Sequence, residues 1–229
     1  MNGFVQKVKR KAVRGRLQPI RVFCFHQVSD VFAPDTMNEC DWIQSEVFKQ
    51  TVLSMKEKTV FVSLKEAYHH IVNDKVRLRH YAVLTADDGW ASIKNVLPWL
   101  SEQNLPITLF LNPGYFDGIH FREKNSERYL LEKDIKHISD TFPSVSFGIH
   151  GWEHVDVTKQ NEKEFRENVE KSIQALKCYK SFIPFFAYPW GRRNGMSKRI
   201  LKEHGLVPVL MDGLNNYNDA SAIHRELLY

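Results

Sequence analysis

The segment Leu84-Thr85-Ala86-Asp87-Asp88-Gly89-Trp90 joins an apolar run to two adjacent carboxylates and a glycine. The run, which starts at Tyr81, predicts a buried strand, and residues 91–103 predict a helix after it. Adjacent aspartates at a strand end repel each other and lose hydration, so stability alone does not favour them there. Gly89 allows a sharp turn that brings both carboxylates to one edge, where one can bind a cation and the other can move a proton. The alternative is an Asp-Asp-Gly turn that only caps the next helix.

Strand-like and helix-like segments alternate on both sides of this segment. Further strands are predicted at 21–25, 59–62, 107–111, 145–149, 183–187 and 207–211, and further helices at 45–58, 63–73, 128–141, 161–176 and 195–204. Pro208 predicts that the last strand lies at a sheet edge or carries a bulge. The alternation predicts a largely parallel sheet, either a barrel or a doubly wound sheet, with function at the carboxyl ends of the strands.

Composition indicates a soluble protein with a sizeable core. The chain has 229 residues, of which 43% are hydrophobic and 26% charged, and no apolar run approaches the roughly 18–20 residues of a membrane span. The three cysteines are odd in number and lack metal-type spacing, so we expect reduced thiols in a cytoplasmic protein. No secretory signal peptide is expected, because residues 1–29 hold no sufficiently long apolar region.

Basic residues are concentrated before the first predicted strand. Residues 1–29 contain no acid, and the cations are Lys7, Lys9, Arg10, Lys11, Arg14, Arg16 and Arg21. We expect residues 1–19 to be a partly ordered basic segment and 20–229 to be the functional domain. The segment is either a solvated end or a peripheral contact with an anionic surface, such as a phospholipid leaflet or a phosphorylated glycolipid. Nucleic-acid binding is not expected, since no basic groove with interleaved aromatics can be recognised.

Ionisable and aromatic residues follow several predicted strands directly. His26 follows the first strand, His150-Gly151-Trp152-Glu153-His154 follows the strand at 145–149, and Tyr188-Pro189-Trp190-Gly191 follows the strand at 183–187. Two histidines four residues apart lie on one face of a helical turn. With one carboxylate they form a three-ligand site for a divalent metal that leaves a position open for water. A histidine pair is weak evidence in a chain with 10 histidines, but the neighbouring Asp-Asp pair favours a metal site.

Three of these segments resemble motifs of the polysaccharide deacetylases, carbohydrate esterase family four. Thr85-Ala86-Asp87-Asp88-Gly89 is similar to the family's Thr-Phe-Asp-Asp-Gly motif, and His150-Gly151-Trp152-Glu153-His154 to its His-Ser/Thr-x-x-His motif. Ala187-Tyr188-Pro189-Trp190-Gly191 resembles its Arg-x-Pro-aromatic motif. The order and spacing agree, over about residues 20–225. The resemblance implies a single α/β domain with a deformed (β/α) barrel of about seven strands.

The resemblance also implies an activity, the metal-dependent hydrolysis of an N-acetyl or similar acyl group from an amino sugar. Asp88, His150 and His154 match the family's metal ligands, and one divalent ion, zinc above all, is expected there. Asp87 matches the general base, and the backbone N–H of Trp190 matches an oxyanion donor. Metal and base together form a chemically coherent site.

The chain departs from the family pattern in three functional features. Ala187 replaces the arginine that holds the catalytic aspartate, and His26 or Arg192 is a candidate substitute. The Leu-x-His motif, which supplies the general acid, has only a loose match in Ala222-Ile223-His224, and the family's late Asp-Trp element is not visible. We therefore expect His224 to be the proton donor, with a surface histidine beside Arg225 as the alternative.

Aromatic residues near the predicted site suggest carbohydrate binding. Trp90, Trp152 and Tyr188 are expected to bind substrate, and Trp190 lies in the same region, because sugar rings stack their C–H faces on aromatic rings. A core role is the alternative for the tryptophans. The expected substrate is an amino-sugar glycan or its lipid-linked or nucleotide-linked precursor. Two alternatives stay open: a hydrolase of the same fold acting on a formamide or cyclic amide, and a glycan-binding module whose catalysis has decayed.

Overall fold

Parallel strands close into a barrel in the computed structural model, which describes residues 17–31, 42–118 and 129–228. The strands in chain order are β1 (Ile20–Phe25), β2 (Gln27–Val28), β3 (Trp42–Ile43), β4 (Val60–Phe61), β5 (Tyr81–Ala86), β6 (Ile107–Leu111), β7 (Val145–Ile149), β8 (Phe182–Ala187), β9 (Val207–Met211) and β10 (Ile223–Leu227). The order β1-β10-β9-β8-β7-β6-β5 closes because β1 also pairs with β5 along its whole length. β4 adds to the lower end of β5, and β2 pairs only with β3. The predicted single-domain α/β barrel of about seven strands is confirmed.

Helices surround the barrel. They are α1 (Ser45–Lys56), α2 (Leu64–Asn73), α3 (Leu97–Glu102), α4 (Glu132–Thr141), α5 (Glu162–Leu176) and α6 (Gly195–Glu203). Capping boxes start α2 at Ser63 and α5 at Asn161, at the beginnings of the helices predicted at 63–73 and 161–176. The single helix predicted at 91–103 is wrong, since a 3-10 helix at Ala91–Asn95 precedes α3. Pro98 explains the break, because it has no N–H to continue the preceding turn.

Side chains of the strands alternate between two apolar clusters. Val83 of β5 packs inside the barrel, whereas Leu84 packs outside it against the helices. The inner cluster also includes Leu64, Ala67 and Ile71 of α2. Helix α2 therefore closes the amino-terminal end of the barrel, and the carboxyl-terminal end, called the rim below, is left for charged residues.

Two expectations about the end of the chain are corrected. The strand with Pro208 is not at an edge, because β9 pairs with both β8 and β10. Pro208 is tolerated because the pairing with β10 begins only at Val209. The sequence does not predict β10, since polar residues interrupt its apolar pattern, yet β10 joins β9 to β1 and completes the barrel.

Several expectations fall outside the described residues. These are the loop around Pro34 and Asp35, most of the loop at 115–124, the start of a helix at 128, and nearly all of the basic segment at 1–19. The boundary near residue 19 stays a prediction. In the described ranges, no helix is both long enough and apolar enough to span a membrane.

Candidate metal centre and active site

Three side chains converge at the rim on one point. The Nε2 atoms of His150 and His154 lie 3.3 and 3.4 Å from the same oxygen of Asp88, Oδ1. Their ligand atoms all lie within 4.8 Å of one another. Asp88 Oδ1 is buried and accepts no hydrogen bond. A buried carboxylate oxygen of this kind, facing two imidazole nitrogens, has the donor set of a zinc site.

Backbone turns bring these ligands together. Asp88 and Gly89 have φ angles of 70° and 72°, so the chain reverses sharply after β5 and aims the Asp88 carboxylate into the rim. The histidines lie on an irregular bend rather than on the predicted helical turn. Gly151, with φ of 83°, prevents helical winding there. A side chain at Gly114 would approach the backbone oxygen of Trp152 to 2.7 Å, so this glycine lets the bend pack closely against the end of β6.

Hydrogen bonds orient two of the three ligands. His150 Nδ1 lies 2.9 Å from the backbone oxygen of Ala187, which favours the proton on Nδ1 and leaves Nε2 free for a cation. The indole N–H of Trp90 donates to Asp88 Oδ2 at 3.0 Å, and thereby turns Oδ1 toward the histidines. These contacts resemble the supporting shell that ligands of metal centres need.

Asp87 is buried beside this cluster and is held by Arg225. Two hydrogen bonds of 2.7 and 2.8 Å join the guanidinium to the two carboxylate oxygens, and Arg225 is only 1% exposed. Burial alone would raise the pKa of Asp87, but the charges of Arg225 and His150 and the hydrogen bonds from Arg225 hold it well below its usual range. Asp87 is therefore ionised at neutral pH.

Arg225 is a partner of Asp87 that the sequence patterns do not predict. His26 and Arg192 were the expected substitutes for the arginine replaced by Ala187, but Arg192 pairs with Asp156 at 2.7 Å. The substitute lies instead on β10, two strands away from Ala187 in the barrel. The available signal was the spacing of Arg225, which is two residues from both Ile223 and Leu227. Residues two apart in a strand face the same side, so this spacing places the arginine on the apolar, inward face.

The two candidate proton donors lie in different environments. The His26 ring groups with Cys24 Sγ and Asp87 within 4.8 Å, on the face of β1 that points into the barrel. His224 precedes the inward-facing Arg225, so its side chain points to the opposite face of β10. There its Nδ1 lies 3.0 Å from each oxygen of Asp212. A catalytic role for His224 stays a prediction, which this orientation does not favour.

The aromatic residues differ in exposure. Trp190 is 67% exposed, has φ of 58°, and places its ring 4.7 Å from that of His154. Trp90 and Tyr188 are buried, and Trp90 stacks on Tyr129 with ring centroids 4.4 Å apart. Trp152 is half-buried. Substrate binding by Trp90, Trp152 and Tyr188 stays a prediction, and the burial of two of them does not favour it.

An open groove of about 560 Å³ begins at Gly191, the residue after Trp190. Its lining also includes Arg192, Arg193, Asn194 and Lys198. Several of the side chains that line the groove are therefore basic.

A parallel (β/α) barrel with charged and polar side chains gathered at its carboxyl-terminal rim is the architecture of an enzyme. The sequence profile described as polysaccharide deacetylase matches residues 74–209, more than half of the chain. The protein belongs to the polysaccharide deacetylase family. No curated protein matches the sequence.

Solved structures with the same fold include IcaB and two proteins whose names describe them as deacetylases. IcaB from Ammonifex degensii is 20% identical, with 93% of this chain and 92% of that chain covered and a TM-score of 0.78. Streptococcus pyogenes deacetylase PplD is 21% identical, with 93% of each chain covered and a TM-score of 0.75. The BpsB deacetylase domain from Bordetella bronchiseptica is 15% identical, with 91% and 95% covered and a TM-score of 0.68. At these identities the similarity concerns the fold.

Proposed function

We propose that the protein is a metal-dependent carbohydrate N-deacetylase, which hydrolyses an N-acetyl or similar acyl amide on an amino sugar of a polysaccharide or its precursor. The observation that carries this proposal is the convergence of two imidazole nitrogens on Asp88 Oδ1, next to the ionised Asp87. Membership of the polysaccharide deacetylase family supports the reaction class.

Asp88, His150 and His154 would hold one divalent ion, and their two nitrogens and one oxygen favour zinc. Zinc at this position would polarise the acyl oxygen and lower the pKa of water, which suits a carboxylate as weakly basic as Asp87. The hydrogen bond from His150 to the Ala187 oxygen and the one from the Trp90 indole to Asp88 keep the ligand atoms aimed at one point.

Asp87 is the proposed general base, and it accepts a proton from the attacking water. Arg225 is a positioning residue, because it keeps Asp87 ionised and fixes both carboxylate oxygens. A carboxyl group with a low pKa also gives its proton up readily, so Asp87 can be restored in each cycle.

The leaving amine needs a proton, and an imidazole can supply one at neutral pH. Between the two candidates, position favours His26. It shares the inner face of the rim with Asp87, whereas His224 is engaged by Asp212 on the other face. We therefore propose His26 as the donor and keep His224 as the second candidate.

Trp190 has two proposed roles. Its backbone N–H is the oxyanion donor that the motif implies, and its exposed ring is a surface on which a sugar can stack. A longer glycan would continue along the groove that begins at the next residue, Gly191. Trp152, Trp90 and Tyr188 are the further aromatic residues proposed to contact the substrate.

The buried ion pair between Asp87 and Arg225 supports an enzyme over a decayed glycan-binding module. Burying two charges costs solvation free energy, so such a pair is not expected where the charges have no function. A hydrolase of another carbon–nitrogen amide is the second candidate, since the same groups would serve it. We also propose that the protein acts in the cytoplasm, on a lipid-linked or nucleotide-linked precursor.

Acetate release from N-acetylated glucosamine oligosaccharides tests the proposal. Protein stripped with a chelator should be inactive, and one equivalent of zinc should restore release. Stoichiometric zinc without acyl release from any sugar would overturn it in favour of the binding module. Release only from formamides or cyclic amides would overturn the choice of substrate.

A further inference from the structure

Exposed apolar side chains are grouped at the amino-terminal end of the barrel, opposite the rim. We define the basal patch as Val72, Val76, Leu78 and Tyr217, all of which are exposed; Leu78 is 72% exposed. Exposed cations alternate with them, because Lys75 precedes Val76 and Arg79 follows Leu78.

The basal patch is held in place by the fold. Helix α2 buries its other face in the barrel interior, so Val72 at its end faces outward. Arg77, between Val76 and Leu78, is buried and donates from Nε to the backbone oxygen of Gln18 at 2.7 Å. Its Nη2 donates to the backbone oxygen of Tyr217, at 2.5 Å. One side chain therefore fixes both segments of the patch next to each other.

The sequence before Leu17 is rich in positive charge. Leu17, the first described residue, forms a bridge with Arg77 next to the basal patch. Residues 1–16 contain six cations and no acid: Lys7, Lys9, Arg10, Lys11, Arg14 and Arg16. Within two residues of a patch member, the described part of the chain has two acids. Asp74 is paired with His70 at 3.0 Å, and Asp219 accepts a hydrogen bond from the backbone of Ser221.

Valine, leucine and tyrosine side chains interleaved with lysine and arginine match the interface of an anionic bilayer, where apolar groups enter the headgroup region and cations meet lipid phosphates. A protein partner would call for an acidic surface, and a neutral apolar partner would leave the cations uncompensated.

We propose that the basal patch is a peripheral docking surface for anionic phospholipid membranes. The seven strands that close the barrel are five or six residues long, so the rim lies roughly 20 Å from this end of the barrel. The candidate active site then faces away from the lipid. The proposal is independent of the enzymatic one, since the two concern opposite ends of the barrel.

Co-sedimentation of the full chain with vesicles tests the docking surface. We expect binding to vesicles of phosphatidylcholine with about a third phosphatidylglycerol, weak binding to pure phosphatidylcholine, and weakening by salt. Leu78→Glu should weaken binding by at least roughly tenfold, because it removes an apolar contact and adds a repelled charge. The matched control is Leu53→Glu, at an exposed leucine of α1, which should bind within about twofold of wild type.

Further variants separate the patch from the basic segment. Replacing the six cations of residues 1–16 by glutamine should weaken binding, by about fivefold for each charge that reaches the surface, yet Leu78→Glu should weaken it further. Deacetylation of a soluble substrate should be unchanged in Leu78→Glu. Three results would overturn the proposal: equal binding of Leu78→Glu and Leu53→Glu, no preference for anionic vesicles, or a self-association in sedimentation velocity that Leu78→Glu abolishes. The last result would make the patch an interface between copies of the chain.

Discussion

One grouping of imidazole and carboxylate lies at the rim and another at the outer face of β10, and they differ in the contacts of their carboxylate oxygens. At the rim, two rings share the single oxygen Asp88 Oδ1, which accepts no hydrogen bond. At the outer face of β10, one ring of His224 lies 3.0 Å from both oxygens of Asp212. In the first grouping the two rings face a buried oxygen without a hydrogen bond, whereas in the second one ring nitrogen contacts both carboxylate oxygens.

This difference teaches that residue type alone does not identify a site. Both groupings combine histidine with aspartate, and both are partly buried. Only the rim grouping has convergent lone pairs, supporting hydrogen bonds behind its ligands, and a second, ionised aspartate beside it. The following predictions test whether the contrast is functional.

The largest effect is expected from removing both rim histidines. The double variant His150→Ala and His154→Ala should bind no stoichiometric zinc, because one carboxylate cannot hold the ion alone. Deacetylation should fall to background. Metal analysis after dialysis checks this, with His69→Ala and His137→Ala, at exposed positions, as the matched control. Full zinc occupancy in the rim variant would refute the metal site.

Asp87→Asn should keep zinc and lower the turnover number by about 10²–10⁴-fold, because the amide cannot accept the proton of water. Asp88→Asn should weaken zinc binding instead, since it removes a ligand charge. Turnover and metal content measured on both variants separate the roles. If Asp87→Asn loses zinc and Asp88→Asn keeps it, the two roles are exchanged.

Arg225→Met should destabilise the protein by roughly 3–5 kcal/mol at pH 7, because it leaves Asp87 buried without a cation. Arg21→Met is the matched control: its partner Glu226 is on the surface, and the loss should be about 1 kcal/mol or less. Unfolding in urea measures both.

The pH dependence of the Arg225→Met variant has a definite sign. In the wild type the pKa of Asp87 is below its unfolded value, so the stabilisation from this group is present above the unfolded pKa and is lost as pH falls through the folded pKa. Without Arg225, burial raises the pKa of Asp87. The destabilisation caused by the buried, unpaired carboxylate shrinks as Asp87 becomes protonated. The difference in stability should therefore narrow between pH 7 and about pH 4. A difference that does not change with pH would contradict this.

The smallest effects are expected for the candidate proton donors. His26→Ala should lower turnover by about 10²-fold with zinc retained, whereas His224→Ala should change it only a few-fold. Turnover with zinc-loaded protein is the measurement. A large loss only in His224→Ala would place the donor on β10 and remove the functional contrast between the groupings.

Much of the barrel could be predicted because most of its strands and helices follow from local sequence patterns. Apolar runs marked most of the long strands, and capping residues marked the starts of α2 and α5. The expected helix across 91–103 was wrong because Pro98 restarts the helix. Strand β10 was missed because Arg225 interrupts its apolar pattern. The partner that makes this buried arginine acceptable is Asp87, which is 138 residues away in the sequence.

The sequence by itself determined the alternation of strands and helices, the Asp-Asp-Gly turn after β5 and the presence of His150 and His154 at the end of β7, because these depend on neighbours a few residues apart. The tertiary structure alone decided that both imidazoles meet on Asp88 Oδ1, that Arg225 holds Asp87, and that His224 points away from them. Closure of the barrel explains the difference. It sets the register of β10 against β1 and β9, and register decides which side chains enter the interior and which face outward.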